Sequence, residues 1–249
     1  MTAVGDGVTE KRAEAPGAGS ASRAGGRRGS ATRALVMDTA LRLFTERGYD
    51  RTTMRAIATE AGISVGNAYY YFTSKQELIQ GFYHRISELH AEDSKEVLAA
   101  EREFGPRLRG VLLSWLRIAQ PYHEFGPQLF KNAADPASPL SPFSPEAEAP
   151  RRAAIGILAE VVDGSRIKID RELRADLPEL LWLYQMGIVL FWVHDRSPDC
   201  SRTHRLVEHT VPLIERLVEL SRLRPMRSLT RDAVRVLSEM IPPSSESRP

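Results

Sequence analysis

The chain has 249 residues, 42% of them hydrophobic, which suits one large domain or a small one beside a larger one, with apolar residues enough for a core. A formal net charge of +2 excludes a polybasic nucleic-acid coat, so any DNA contact has to be a local patch. The single cysteine, Cys200, excludes an internal disulfide or a cysteine zinc site and gives no sign of secretion.

Residues 1–30 are rich in Gly, Ala, Ser and Arg, lack the apolar run of a signal peptide, and are expected to be a disordered tail. Arg23, Arg27 and Arg28 are read as part of that solvated tail; the alternative is a basic arm reaching the minor groove. Thr32 to Arg47 shows apolar residues at helical spacing, including Leu43 and Phe44, and Gly48 stops it.

From Thr52 to Lys75 the pattern is two short helices with a tight turn. Thr53 or Thr52 can cap the first, and Ile57, Ala58 and Ala61 form its narrow apolar face. Gly62 ends it, Ile63 fills the corner, and Ser64 can cap a second helix over Val65 to Tyr71. Ser74 with Glu77 has capping-box spacing for a third. Two short helices about a Gly-containing turn make a helix-turn-helix, or else any small αα corner. The run Ala40–Phe44, Gly48-Tyr49, Thr52-Thr53, Ile57-Ala58, Ala61–Ser64, Gly66, Tyr69, Tyr71-Phe72, Lys75 and Glu77-Leu78 resembles the N-terminal domain of the TetR family of transcriptional regulators, without a gap from about Thr32 to Leu78.

That resemblance implies DNA contacts. Phosphate contacts, which position a protein, would fall to Thr53, Tyr69, Tyr71 and Lys75, and Ser64 counts among the DNA-binding residues at the start of the second helix. Base contacts would fall to Arg55, Val65, Gly66, Asn67 and Tyr70, with Arg55 suited to guanine and Asn67 to adenine. Ala68 and Phe72 should face inward. Plain packing is the competing reading of Tyr70, because three consecutive tyrosines cannot all face DNA.

Beyond this head, Ser74 to about Ala100 reads as a long helix with an inner stripe of Leu78, Phe82, Ile86, Leu89 and Val97, and as the only strong link between head and body. Gly105-Pro106 should break the chain, Val111 to Ala119 should be a buried helix, and Tyr122 to Asn132 a short one. In 133–150 prolines recur every third residue, which suits a polyproline II surface linker, with a partner motif or a lid as alternatives. Helices follow at Pro150–Val162, Leu177–His194, Thr203–Leu220 and Thr230–Ile241. The Leu177–His194 and Thr203–Leu220 helices are apolar on two faces, so one face can meet the chain's own core and the other a second copy. Leu180, Tyr184, Gly187, Phe191, Leu213 and Leu217 are the expected dimer contacts, which the resemblance supports. Trp115, Tyr122, Trp182, Gln185 and Trp192 are the expected ligand-pocket residues.

The expectation is an all-α protein: tail 1–30, a three-helix helix-turn-helix head over 31–78, a larger helical ligand-binding and dimerisation domain over 79–224, and a short C-terminal helix and tail over 225–249. No membrane span, metal site, cofactor or catalytic constellation is expected, and His84, His90, His123, His194, His204 and His209 lack metal-ligand spacing. His194, next to Asp195, reads as a satisfied helix-end histidine, with a buried polar pair or part of a pocket as the alternatives. The partners implied are double-stranded DNA with a palindromic operator, a second copy of the chain, and an apolar or aromatic small molecule, in the cytoplasm. The function implied is a ligand-released repressor. The rivals are an all-helical enzyme and a DNA-binding protein without a ligand.

Overall fold

The computed structural model describes residues 18–135 and 138–221, which are helices joined by turns with no strand among them. The two-part helical plan expected from the sequence is the one the chain adopts. Expectations for residues 1–17 and for 222–249, the C-terminal helix included, lie outside the described residues.

Helices α1 (Ala18–Arg47), α2 (Met54–Glu60) and α3 (Val65–Tyr71) make the head. Their apolar faces meet at Val36, Leu43, Phe44, Ile57, Ala68 and Phe72, all fully buried. Burying a side chain the size of Phe44 contributes about 1.5–3 kcal/mol. Helix α1 begins at Ala18, not at Thr32. The apolar period visible in sequence starts only near Val36, and the glycines and serines among residues 18–31 give no helix signal, so the upstream turns were not legible.

Helix α4 (Lys75–Ala100) leaves the head, capped by Ser74, whose hydroxyl accepts the Glu77 N–H at 3.1 Å. Glu77 Oε2 accepts in return from the Thr73 N–H at 2.6 Å. The buried stripe is Leu78, Phe82, Ile86, His90, Ser94 and Leu98. Leu89, expected within it, is 45% exposed, and Val97 is half-buried. Two polar residues take the inner positions, and one of them has a partner there: a ring nitrogen of His90 donates to the Val111 carbonyl at 3.0 Å.

Helix α5 (Phe104–Ala119) starts where a break at Gly105-Pro106 was expected. In a first turn, proline's missing N–H costs no intrahelical bond. The Gly105 N–H donates outward to Glu215 Oε1 at 2.9 Å. Arg107 is buried and makes no ion pair with a carboxylate among the described residues. Its guanidinium donates instead to the carbonyls of Leu98 (2.6 Å) and Glu101 (2.7 Å) at the end of α4, and of Glu160 (2.6 Å) and Val161 (3.1 Å) near the end of α7 (Glu148–Asp163). A Cβ on Gly164 would fall on that guanidinium, so glycine keeps its seat open.

The body core lies between α5, α7, α8 (Arg171–His194) and α9 (Ser201–Leu220), with Leu112, Leu158, Leu181, Trp182, Val207 and Val211 inside. Helix α8 starts before the expected Leu177 and runs through Pro178, held by buried Leu177 and Leu181 on either side. Between α8 and α9, the buried Asp195 accepts the N–H and hydroxyl of Ser197 (2.9 and 2.6 Å) and of Thr203 (2.8 and 2.7 Å). Burial opposes ionisation, but these four bonds win and hold the carboxyl well below its usual range. His194 is exposed and donates to the Leu190 carbonyl at 2.9 Å, as a helix-end histidine does.

Helix α4 is not the only strong joint between head and body. A 3-10 turn, Gln120–Phe125, and α6 (Gly126–Ala133) follow α5. Phe125 in that turn stacks on Phe44 at 5.9 Å and meets Phe82 edge-on at 6.1 Å. The sequence reading missed this joint because a single aromatic in a short segment has no period. The proline-rich segment is also different from expectation. It is a ladder of hydrogen-bonded turns, which a polyproline II segment has no bonds to make, and Leu140, Ser141 and Ser144 within it are buried.

Candidate nucleic-acid interface

The head presents α3 by three local devices. Thr53, not Thr52, caps α2, accepting from the Ala56 N–H at 3.1 Å. Thr52 is buried and donates its hydroxyl to the Gly48 carbonyl at 2.8 Å. Gly62 turns the chain at φ +68, where a side chain is disfavoured, and the Ile63 N–H closes the turn onto the Ala58 carbonyl at 3.0 Å. Ser64 then caps α3, accepting from the Asn67 N–H at 3.1 Å, so the helix starts at a defined residue.

Ala68 is fully buried on the inner face of α3, and Phe72, just beyond the helix, is buried with it. Gly66 and Tyr70, four residues apart, therefore lie on one outward line, flanked by Asn67 and Tyr69. Tyr70 is 81% exposed and Tyr69 48%, so packing does not explain Tyr70. The tyrosine that turns in is Tyr71: it is half-buried, and a Cβ on Gly29 of α1 would lie 3.8 Å from its hydroxyl. Nothing in the chain lies within 4 Å of a Cβ at Gly66, so internal packing does not demand glycine there. Val65 is half-buried.

The cations of the head divide by partner. Arg42 binds Glu60 at 2.7 Å and Glu46 at 3.1 Å, and Arg85 binds Asp38 at 2.6 Å. Lys75 is half-buried: its Nζ donates to the Tyr49 carbonyl at 2.7 Å and lies 4.3 Å from the centre of the Tyr49 ring. Arg33 lies over the Phe72 ring at 4.6 Å. Arg55 is exposed on α2, the helix that packs against α3, and has no hydrogen bond or ion pair among the described residues. A planar guanidinium left free next to an outward helix face is suited to bidentate contact with a base edge or phosphate.

The five residues expected to line a pocket do not form one cluster. Trp182, Gln185 and Trp192 are buried on α8. Trp115 meets Trp192 edge-on at 5.4 Å, and the Trp192 indole N–H points to Gln120 Oε1 at 3.5 Å. Tyr122 packs instead on Phe82 at 4.8 Å, within the head cluster. The side-chain oxygen of Gln185 is buried with no hydrogen-bond partner in the structure, an uncompensated acceptor.

The α8 and α9 faces turned away from the core carry the expected dimer residues. On α9, Leu213 (54% exposed) and Leu217 (61%) lie opposite the buried Val207, Val211 and Val218. On α8, Phe191 and Gly187 are exposed, and a Cβ at Gly187 would meet nothing within 4 Å. Leu180 and Tyr184 are half-buried, Tyr184 sharing a hydrogen bond with Thr210. Leu190 and Leu220 are exposed as well, and the sequence pattern had not singled them out.

Among the described residues no helix is long and apolar enough to cross a membrane, and no cluster of His, Cys, Asp and Glu could hold a metal ion.

Residues 36–81 match the family description "Bacterial regulatory proteins, tetR family". Residues 107–236, more than half of the chain, match "Tetracyclin repressor-like, C-terminal domain". The HTH-type transcriptional regulator TtgR of Pseudomonas putida is 41% identical over 59 residues, 24% of this chain and 28% of that one. The repressor KstR2 of Rhodococcus jostii is 44% identical over 57 residues, 21% and 28% of the two chains. The chain thus matches less than a third of the length of these relatives. A tetR-family regulator from Streptomyces coelicolor shares the fold with a TM-score of 0.57 at 22% identity, over 88% of this chain and 92% of that one.

Proposed function

Because the chain belongs to the TetR family of transcriptional regulators, we propose that it is a homodimeric repressor whose paired α3 helices read a palindromic operator, and that an apolar or aromatic small molecule in the body releases it. The observation that carries the DNA reading is the outward face of α3, with Asn67, Tyr69 and Tyr70 exposed, together with an exposed Arg55 on α2 that no acidic side chain among the described residues claims. Two copies would present two such faces to half-sites one helical turn or a multiple apart. The apolar backs of α8 and α9 support the pairing. The buried, unpartnered Gln185 oxygen beside Trp182 supports an effector that offers a hydrogen-bond donor on an apolar frame. Such a protein acts in the cytoplasm, where DNA and metabolites are both available.

Selection of duplexes from a random pool tests the DNA reading: a two-fold symmetric consensus is expected, and recovery of unrelated sequences would remove it. Release requires unequal affinity for two states, so a metabolite that lowers operator affinity a hundredfold must itself bind a hundredfold more weakly to the operator complex, a coupling of about 2.7 kcal/mol. Tryptophan fluorescence titration with and without duplex measures this. Ligands that bind equally in both cases would favour a DNA-binding protein without a switch, a reading to which the well-buried Trp182 and Trp192 also lend support.

A further inference from the structure

The segment Ser138–Ala147 is built as a stiff spacer. Its turns close through N–H to carbonyl bonds from Ser141 to Ser138 (3.0 Å), Ser144 to Ser141 (3.0 Å) and Ala147 to Ser144 (3.2 Å). The hydroxyls of Ser138 and Ser141 each accept a further backbone N–H, from Leu140 (3.2 Å) and Phe143 (3.3 Å), and the Ser144 hydroxyl shares the Ala147 N–H with its own carbonyl (3.2 Å). Serine at the head of each turn with proline following it is the chemistry that fixes such turns, which explains the period of three.

The two ends of this spacer touch different halves of the molecule. Leu140 is buried in the head cluster, and its carbonyl accepts the Tyr83 hydroxyl of α4 at 3.2 Å. Burial pushes the Tyr83 phenol up, so it stays protonated and a donor. Three residues on, Phe143 meets Trp182 of α8 edge-on at 5.3 Å, although Phe143 itself is largely exposed. Arg151 of α7 holds this end by donating to the carbonyls of Pro142 (2.9 Å) and Ser144 (3.3 Å).

We infer that Ser138–Ala147 is a mechanical bridge between the body interior at Trp182 and the face of α4 that carries the head. A displacement of Trp182 is passed through Phe143 and the turn ladder to Leu140, and through its carbonyl to Tyr83. That an effector supplies the displacement rests on the function proposed above; the linkage itself does not.

The test is hydrogen exchange by mass spectrometry on the full chain, comparing wild type with two variants. Phe143→Ala alters only the body end, at a side chain exposed enough to tolerate the change. It should raise exchange in the α4 peptide around Tyr83 at least about threefold. Tyr83→Phe keeps the ring and removes the donated hydroxyl, and should raise exchange at the Trp182 peptide by a similar factor. Effects confined to each variant's own side would overturn the bridge. A second arm adds the duplex selected by the wild type: binding should slow exchange at Ser141 and Ser144 in wild type and not in Tyr83→Phe, and an equal response in both would also overturn it. A wild type that selects no duplex sinks the DNA reading alone, because the first arm still decides the bridge.

Discussion

Arg55 and Lys75 are both cations of the head, but their surroundings give them different uses. Arg55 has no partner among the described residues, so Arg55→Ala should leave folding unchanged and relax preference at one base pair by about 1–3 kcal/mol. Lys75 is tied to Tyr49, so Lys75→Ala should lower the salt slope of DNA binding by about one ion and also destabilise the head by about 1 kcal/mol. Binding-site selection with thermal melts separates the two, and a melt unchanged in Lys75→Ala would remove the Tyr49 anchor. His90 supplies a pH dependence. Burial lowers its pKa despite the bond to Val111, so the folded chain leaves it neutral where the unfolded chain protonates it. Unfolded chains then bind more protons below the ordinary histidine value of about 6.5, and stability must fall as pH falls through that window. His90→Gln, which keeps a donor for Val111, should flatten the melting temperature between about pH 5 and 7 relative to wild type. At this scale the sequence disclosed residue types but not partners. Nothing in a row of three tyrosines says that Tyr71 turns toward α1 while Tyr70 stays in solvent, because that depends on where α1 passes.

At the scale of elements, the start of α3 is set by one hydroxyl. Ser64→Ala should cost about 1 kcal/mol of stability and weaken operator binding, since a frayed first turn misplaces Gly66 and Asn67. Circular dichroism melts and gel shifts check both, and unchanged DNA affinity would mean that the Gly62 turn alone aims the helix. The caps at Thr53, Ser64 and Ser74 were readable because their signals are local: a hydroxyl, its spacing and a following apolar period. Elements that depend on distant contacts were not. Proline looked like a break at Gly105-Pro106, yet a first turn accommodates it. The turn ladder at 138–147 was read as extended because proline spacing is visible and burial of Leu140 against α4 is not.

At the scale of the whole molecule, the exposed apolar backs of α8 and α9 are the surface on which the proposed dimer is tested. Leu217 is 61% exposed in the protomer, so Leu217→Glu should not disturb the fold of one chain. In a dimer it would bury an unpaired charge at a cost of about 3–5 kcal/mol, enough to shift the protein to folded monomer. Sedimentation velocity with a thermal melt reads this directly, and a dimer as tight as wild type would place the interface elsewhere. The two-face pattern of these helices was legible as helical spacing. The separation of the expected pocket residues was not, because Tyr122 and Trp182 look alike in sequence but belong to different clusters.

Arg107 gives α4 the geometry of a lever. One guanidinium grips the carbonyl end of that helix and the carbonyl end of α7 together, placing a fixed fulcrum near Leu98 and Glu101. From there α4 extends 26 residues toward the head, about 39 Å at the helical rise. A tilt of only about 5° about that fulcrum carries the first turn, and α3 with it, through about 3 Å. Lysine at this position would supply charge without the planar fork that reaches four carbonyls at once, and the pivot would slacken. Small movements deep in the body therefore arrive at the far end as large ones, provided the grip at Arg107 holds.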